Sequence, residues 1–197
     1  MSHLFPAHRS LFAITGARKY LNSSERQRFI TAASTHAEPW ITTLCLTLVF
    51  TGCRISEALA LTGDAIAFEE YAIAIRSLKK RGQVHWRLIP VPEDLLEWLY
   101  QVHRLEPLQS GQGTRLWSCH RATAYRHIKE VMATASIQGL HACPRGLRHG
   151  FGVHAIGSGV PLHLVQRWLG HADIATTSIY TDVIGDEERQ QAQQMWE

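Results

Sequence analysis

The sequence predicts a mostly helical α+β fold with a small three-stranded antiparallel sheet. Most of the chain places apolar residues at helical spacing, and only residues 65–91 change to the β-branched, short-period pattern of strands. No internal repeat and no low-complexity linker divides the 197 residues, a length that can bury a substantial core. We therefore expect an N-terminal arm of residues 1–20 followed by one domain of residues 21–197.

Three helices are predicted before the sheet. Ser23 or Ser24 is a suitable N-cap for a helix that ends near Thr35. A proline then opens an apolar helix over residues 39–50, and the Thr-Gly pair that follows ends it. The next amphipathic helix is marked by apolar residues at positions 55, 59 and 61.

The predicted sheet is formed by three runs, residues 65–68, 71–75 and 86–91. A Lys-Lys-Arg-Gly turn at residues 79–82 joins the last two and gives the hairpin a basic tip.

Helices also account for most of the chain after the sheet. A Pro-Glu-Asp start and a shared apolar face predict one over residues 92–102. The others are expected near residues 120–135, 145–156, 161–170 and, as a polar tail, 186–197.

The overall composition is that of an ordinary globular protein. A net charge of +3 supports nucleic-acid binding only weakly. No apolar run reaches the ~20 residues that a membrane span needs, and the N-terminus does not resemble a secretory signal, so we expect a cytoplasmic protein. The four scattered cysteines, without a CxxC pair, are expected to be reduced thiols.

A metal site deserves consideration because His141, Cys143, His149 and His154 lie close together in the sequence. Zinc sites usually show tight paired spacing, which these four residues lack. No metal and no cofactor are expected.

The pattern that indicates function combines arginines, a histidine and a tyrosine. Arg54 lies at a predicted helix start, Arg145 and Arg148 lie one turn apart on another helix, and His171 precedes Tyr180 by nine residues. Guanidinium groups match phosphate oxygens with paired donors and stay charged. A tyrosine nucleophile conserves the energy of a phosphodiester in a covalent intermediate, so strands can be rejoined without ATP. These groups together predict metal-free cleavage of a phosphodiester.

Five segments carry a resemblance to a known family. They are TGCRISE at 51–57, the lysine hairpin before Ile89-Pro90, GLRH at 146–149, LGH at 169–171 and Tyr180. In this order and spacing they resemble the catalytic domain of the tyrosine recombinases, the phage-integrase family, over roughly residues 20–197. The resemblance implies the fold of that catalytic domain and site-specific recombination of DNA.

The resemblance also implies roles for individual residues. Arg54 and Arg148 would clamp the scissile phosphate of double-stranded DNA, and His171 would hydrogen-bond it. Tyr180 would attack to give a 3′-phosphotyrosine and a free 5′-hydroxyl. The general acid would be a hairpin lysine, Lys79 or alternatively Lys80.

Arg145 departs from the family pattern, which usually has histidine at this position. Arginine cannot accept a proton at neutral pH, so it cannot replace a histidine that acts as a base. Either the tyrosine proton leaves by another route, with His149 or His171 compensating, or the usual histidine mainly binds phosphate. Being three residues apart on a helix, Arg145 and Arg148 can also face one phosphate together.

Relatives usually carry a further helical domain before the catalytic one, whereas only about 20 residues precede the match here. This predicts the short, single-domain form of the family, or a form that needs a partner for its grip on DNA. The C-terminal helix would dock on a neighbouring protomer and give a tetramer on DNA, or it would pack on its own domain. Accessory DNA-bending proteins are possible partners.

Two other functions share the same features. A type IB topoisomerase uses the same chemistry without a defined site or a tetramer. A catalytically impaired DNA-binding regulator would keep the fold, with Arg145 as a sign of lost activity.

Overall fold

A computed structural model describes residues 11–77, 85–105, 113–182 and 192–193. It confirms a mostly helical chain with one small antiparallel sheet. The elements are α1 Ser23–Ser34, α2 Pro39–Thr51, α3 Ile55–Ala58, β1 Ile66–Ala67, β2 Ala72–Ser77, β3 His85–Pro90, α4 Glu93–His103, α5 Arg121–Thr134, α6 Pro144–Gly157 and α7 Leu162–Leu169. Short 3₁₀ segments follow α3 and α7, at Gly63–Ala65, Ile174–Thr176 and Ser178–Asp182.

The N-cap of helix α1 lies one residue before the first of the two predicted caps. Asn22 is the N-cap: its side-chain oxygen accepts from the Glu25 backbone N–H at 2.9 Å, and the Glu25 carboxylate accepts from the Asn22 N–H at 3.2 Å. The prediction of Ser23 or Ser24 was wrong: all three residues are good caps, and the reciprocal capping box forms between Asn22 and Glu25.

Helix α3 is a single turn, so the predicted amphipathic helix through residue 61 was too long. Leu59 and Leu61 are nonetheless buried, at 8% and 3% exposure. Hydrogen bonds from residue i to i−3, such as Leu61 N–H to the Ala58 carbonyl, continue the chain as turns. The apolar spacing therefore predicted the burial correctly but not the helix length.

The sheet has the strand order β1-β2-β3, with both neighbouring pairs antiparallel. Ile73 pairs with Ile89, and Ile75 pairs with Arg87. The three isoleucines are fully buried, so one face of the sheet packs on the helices. The predicted basic turn at 79–82 lies outside the described residues, as does the predicted tail helix except for residues 192 and 193.

In the described part of the chain, two hydrophobic clusters form the interior. The larger is built around α2, whose buried residues include Ile41, Leu44 and Leu48. The smaller contains Leu11, Tyr20, Phe151 and Tyr180. Leu11 and Tyr20 belong to the predicted arm of residues 1–20, so the described part of this segment packs against the domain. The division into an arm and a domain of residues 21–197 stays a prediction.

All four cysteines are free. Burial raises the pKa of the Cys45 thiol to about 12 and, as the main cause, that of Cys53 to about 11, so neither is a reactive thiolate at neutral pH. Among the described residues, no helix is both long and apolar enough to cross a membrane.

Candidate active site

The turn between α2 and α3 positions Arg54. Gly52 ends α2 in the left-handed conformation, with φ of 60°. A Cβ at this position would lie 2.5 Å from the Phe151 ring, so both the backbone and the available space require glycine. The chain reverses there, and Arg54 becomes the N-cap residue of α3 with a half-buried side chain.

Glu57 fixes the Arg54 side chain from one turn further along α3. Its carboxylate accepts from the Arg54 backbone N–H at 2.9 Å and from Arg54 Nη1 at 2.8 Å. It also accepts from Arg87 Nη2 at 2.6 Å. Burial alone would raise the pKa of this carboxyl, but the hydrogen bonds and charges of Arg87 and Arg54 lower it, so Glu57 is ionised at neutral pH.

Arg87 is a site residue that sequence reasoning missed. It lies on β3, its Nε donates to the Trp168 carbonyl at 2.7 Å, and its side chain is 5% exposed. Its Nη1 is buried with no hydrogen-bond partner among the described residues. The sequence does contain a signal, because strand alternation places Arg87 on the same apolar face as Ile89. A charged residue on a buried strand face requires a partner.

Arg148 on α6 binds backbone carbonyls of two separate sequence motifs. Its Nη1 donates to the Gly52 carbonyl at 2.8 Å, and its Nη2 donates to the Leu169 carbonyl at 2.7 Å. These bonds fix the guanidinium plane, and each of the two nitrogens has a second N–H to offer. Burial, followed by the charge of Arg54, lowers the pKa of Arg148 to about 10, so the group is still cationic at neutral pH.

His171 directly follows the glycine that caps α7. Its Nδ1 lies 2.9 Å from the hydroxyl oxygen of the buried Thr177, and its ring stacks on the Tyr180 ring with 6.3 Å between centroids. Burial and the charges of Arg148 and Arg54 lower the pKa of His171 to about 3. The imidazole is therefore neutral at physiological pH.

Tyr180 lies in the 3₁₀ segment at the end of the smaller hydrophobic cluster and is 1% exposed. Asp173 caps the preceding turn, where its carboxylate accepts from the Ala175 N–H at 3.0 Å. The Tyr180 ring packs directly on Gly152, where a Cβ would lie 2.6 Å from it. Burial raises the pKa of Tyr180 to about 12, although the charges of Arg148 and two further arginines lower it in part.

His149 makes a second contact with the nucleophile candidate, and Arg145 in turn contacts His149. Arg145 is exposed and its Nε donates to His149 Nε2 at 3.3 Å. His149 Nδ1 lies 3.2 Å from the Tyr180 hydroxyl oxygen. Burial and the charges of Arg145, Arg148 and Lys19 lower the pKa of His149 to about 4.

The structure thus brings together four of the predicted site residues: Arg54, Arg148, His171 and Tyr180. They lie close enough for the charges of Arg54 and Arg148 to shift the pKa values of both His171 and Tyr180, and the charge of Arg145 also affects the pKa of Tyr180. Lys79 and Lys80 lie outside the described residues, so their predicted role stays a prediction. Within the described ranges, no group of three histidine, cysteine or acidic side chains could hold a metal ion.

A cavity of about 280 Å³ adjoins His171. The described residues that line it include no carboxylate and are rich in imidazole and guanidinium groups: His85, Arg87, His163, Arg167 and His171. This composition suits the negatively charged backbone of a nucleic acid. Sequence reasoning assigned no function to His85 or His163.

The sequence of the chain is similar to that of a known protein family. The model of the phage integrase family matches residues 19–186. The chain is 34% identical over 177 residues to the tyrosine recombinase XerC of Brucella suis, an alignment that covers 84% of this chain and 55% of that protein. The chain thus spans about half the length of the curated relative that it matches.

Solved structures show the same fold. The crystal structure of XerA recombinase has a TM-score of 0.74 and 27% sequence identity, covering 89% of this chain and 62% of that one. The XerH site-specific recombinase bound to its difH substrate, a pre-cleavage complex, has a TM-score of 0.69 and 23% identity, covering 91% of this chain and 55% of that one. Because the family model matches most of the sequence, the chain belongs to the phage integrase family, the tyrosine recombinases.

Proposed function

We propose that this protein is a tyrosine-type DNA strand transferase, a site-specific recombinase that cleaves and rejoins double-stranded DNA through a 3′-phosphotyrosine on Tyr180. Neither a metal nor ATP enters the reaction. The observation that carries this proposal is the packing of Tyr180 against His171, with the guanidinium of Arg148 held nearby by the two carbonyls that it binds.

The arginines supply charge where the reaction needs it. Arg54 is held by Glu57 and stays partly exposed, so it can reach a phosphate oxygen. Arg148 remains cationic and has unused N–H groups beside the carbonyls that fix it. Each well-aimed donor contributes ~3 kcal/mol to transition-state stabilisation. Arg54 and Arg148 would clamp the phosphate, and the neutral His171 would donate a further hydrogen bond to it.

The leaving 5′ oxygen needs a proton. Lys79 is our proposed donor, with Lys80 as the alternative. Both belong to the segment after β2, whose last residue, Ser77, lines the cavity beside His171. Loss of a general acid typically reduces a rate by ~10²–10⁴-fold, so removing the right lysine is expected to cripple cleavage.

The partner is double-stranded DNA. This is supported by the relatives, which include a recombinase in complex with its substrate, and by the cationic cavity beside His171. Assembly as a tetramer through the C-terminal helix, the help of accessory DNA-bending proteins and a nucleoid-associated, cytoplasmic location belong to the same proposal. Neither the topoisomerase nor the inert-regulator alternative is favoured by relatives that are recombinases.

Covalent capture tests the proposal on a mixture of DNA sequences, so that no particular target site has to be chosen. The protein is incubated with nicked duplexes of randomised sequence. These trap the cleaved intermediate because the short fragment that carries the new 5′-hydroxyl diffuses away and cannot be rejoined. Adducts are resolved on a denaturing gel and their DNA is sequenced. We expect adducts enriched for one sequence, and none with Tyr180→Phe.

The same assay separates the alternatives. Adducts without sequence enrichment would indicate a topoisomerase. Tight binding without any adduct would indicate an inert regulator and would overturn the proposal.

A further inference from the structure

His149 lies between an arginine and the nucleophile candidate. Arg145 and His149 are four residues apart on α6 and so share a face of the helix. Arg145 Nε donates to His149 Nε2 at 3.3 Å, while His149 Nδ1 is 3.2 Å from the Tyr180 oxygen. Both nitrogens of one imidazole are therefore engaged, on opposite sides, by Arg145 and Tyr180.

This arrangement determines the tautomer of His149. A guanidinium offers only donors, so the nitrogen that faces Arg145 must present its lone pair. A neutral imidazole carries one N–H, which then has to be on Nδ1, pointing at the Tyr180 oxygen. The doubly protonated ring is disfavoured because it would bring N–H against N–H at Arg145, and because burial and neighbouring charges keep the pKa of His149 at about 4.

We propose that His149 is a hydrogen-bond donor to the Tyr180 oxygen throughout the reaction, held in its Nδ1–H tautomer by Arg145, and is not the base that removes the tyrosine proton. This inference rests on the proposed function of Tyr180 as the nucleophile. It assigns His149 a catalytic role because it touches the reacting oxygen. It makes Arg145 a positioning residue that acts through His149.

The proton and electron balance follows from this arrangement. The Tyr180 oxygen forms a bond to phosphorus, and the bond between phosphorus and the 5′ oxygen breaks. The phenolic proton passes to a non-bridging oxygen of the arriving phosphate and from there to water, because a phosphodiester is ionised at neutral pH. The 5′ oxygen leaves with the electron pair of the broken bond and is protonated by the proposed hairpin lysine. His149 keeps its own proton and stabilises the negative charge that develops on the phenolic oxygen.

The same donor acts when strands are rejoined. The tyrosine oxygen is then the leaving group, and a fixed N–H aimed at it stabilises the departing phenolate. This also explains the tolerance of arginine at position 145. A residue there needs to offer an N–H to His149, which arginine does, and it does not need to accept a proton.

The tautomer can be measured directly, without DNA. A long-range ¹H–¹⁵N correlation spectrum distinguishes a protonated ring nitrogen from an unprotonated one, and the His149 signals are assigned by their absence in His149→Asn. We expect Nδ1 protonated and Nε2 bare in the wild type. In Arg145→Met, which keeps side-chain length without a donor, the Nε2–H form should gain population. A wild-type spectrum with the proton on Nε2 would overturn the inference.

Two near-isosteric variants test the role in the reaction. His149→Asn places an amide N–H where Nδ1–H was, whereas His149→Asp places a proton acceptor there. If His149 donates, adduct formation by the asparagine variant stays within about tenfold of wild type, and that of the aspartate variant falls on the order of 100-fold. The reverse order would show that His149 acts as a base.

The two experiments separate this inference from the proposed function. If the wild type forms no adduct, the proposed recombinase activity is wrong, but the tautomer result still stands. If the wild type forms the adduct but the aspartate variant is faster than the asparagine variant, the proposed function stands and only the donor role of His149 is wrong. A folding defect in one variant is recognised by its near-ultraviolet circular dichroism, and the wild-type spectrum still decides the tautomer.

Discussion

Arg148 donates a 2.8 Å hydrogen bond to the carbonyl oxygen of Gly52. The two residues are far apart in the sequence and belong to different predicted motifs. The bond ties the turn that carries Arg54 to the helix that carries the second proposed phosphate clamp. The bond therefore holds the Arg148 guanidinium against the backbone of the turn that carries Arg54 when no substrate is bound.

The first prediction concerns that turn. Gly52→Ala places a methyl group against the Phe151 ring at a left-handed backbone position, so we expect a loss of about 2 kcal/mol or more in unfolding free energy. Urea denaturation measures it. Gly157→Ala is the matched control, because its Cβ would meet nothing within 4 Å and its φ is not positive. Equal stability of the two variants would contradict the steric account.

The second prediction concerns the buried carboxylate. Glu57→Gln leaves Arg87 buried without its counter-charge, so we expect a loss of ~3 kcal/mol in unfolding free energy at pH 7. Glu130→Gln is the control, because Glu130 is exposed and its ion pair with Arg126 is 3.8 Å long. The glutamine oxygen can still accept from His127 Nδ1, which lies 2.7 Å from the Glu130 carboxylate, so stability should change by ~0.5 kcal/mol or less.

The same carboxylate predicts a pH dependence. The folded protein holds the pKa of Glu57 below its ordinary value of 4.5, so the unfolded chain takes up the proton first as the pH falls. The stabilisation is complete above pH 4.5 and is lost as the pH falls through the folded pKa. The difference in unfolding free energy between wild type and Glu57→Gln should therefore shrink below that pH. A constant difference would show that charge is not responsible.

The third prediction concerns His149. The folded state lowers the pKa of this imidazole from 6.5 to about 4, so below pH 6.5 the unfolded chain binds the extra proton. Stability due to this group is highest above pH 6.5 and falls as the pH decreases towards 4, by roughly 2 kcal/mol at pH 5. His149→Asn should lose less unfolding free energy between pH 7.5 and pH 5 than the wild type. Equal losses in the two proteins would contradict the assignment of this pH dependence to His149.

The fourth prediction concerns the residue that departs from the family pattern. An imidazole at position 145 can also offer an N–H to His149, so Arg145→His should leave the rate of adduct formation unchanged or higher. Arg145→Met offers no N–H and should be slower. Complete loss of adduct in Arg145→His would show that the guanidinium itself is essential in this chain.

The local signals in the sequence predicted the frame of the site well. The proline at the start of α2 and the glycine at its end are short-range features, and each is found where it was expected. The order of the motifs was enough to predict the family. Where short-range signals were equivalent, as for the cap of α1, prediction missed by a residue.

The contacts that complete the site could not be predicted from the sequence because they depend on packing between distant segments. Nothing local indicates that Arg87 meets a carboxylate 30 residues away, although its place on an apolar strand face indicated that some partner was needed. The contact of His149 with Tyr180 likewise spans 31 residues and needs α6 to lie against the last 3₁₀ segment. Side-chain identity predicted the chemistry, whereas only the fold shows which group touches which.

The most direct test of the account is to locate the covalently attached nucleotide. The captured adduct is digested with nuclease and trypsin, and the peptide spanning residues 168–189, whose only tyrosine is Tyr180, is sequenced by mass spectrometry. We predict that this peptide carries a nucleotide 3′-phosphate esterified to Tyr180. A nucleotide on any other residue, or an unmodified peptide recovered from a genuine adduct, would contradict the assignment of Tyr180 as the nucleophile.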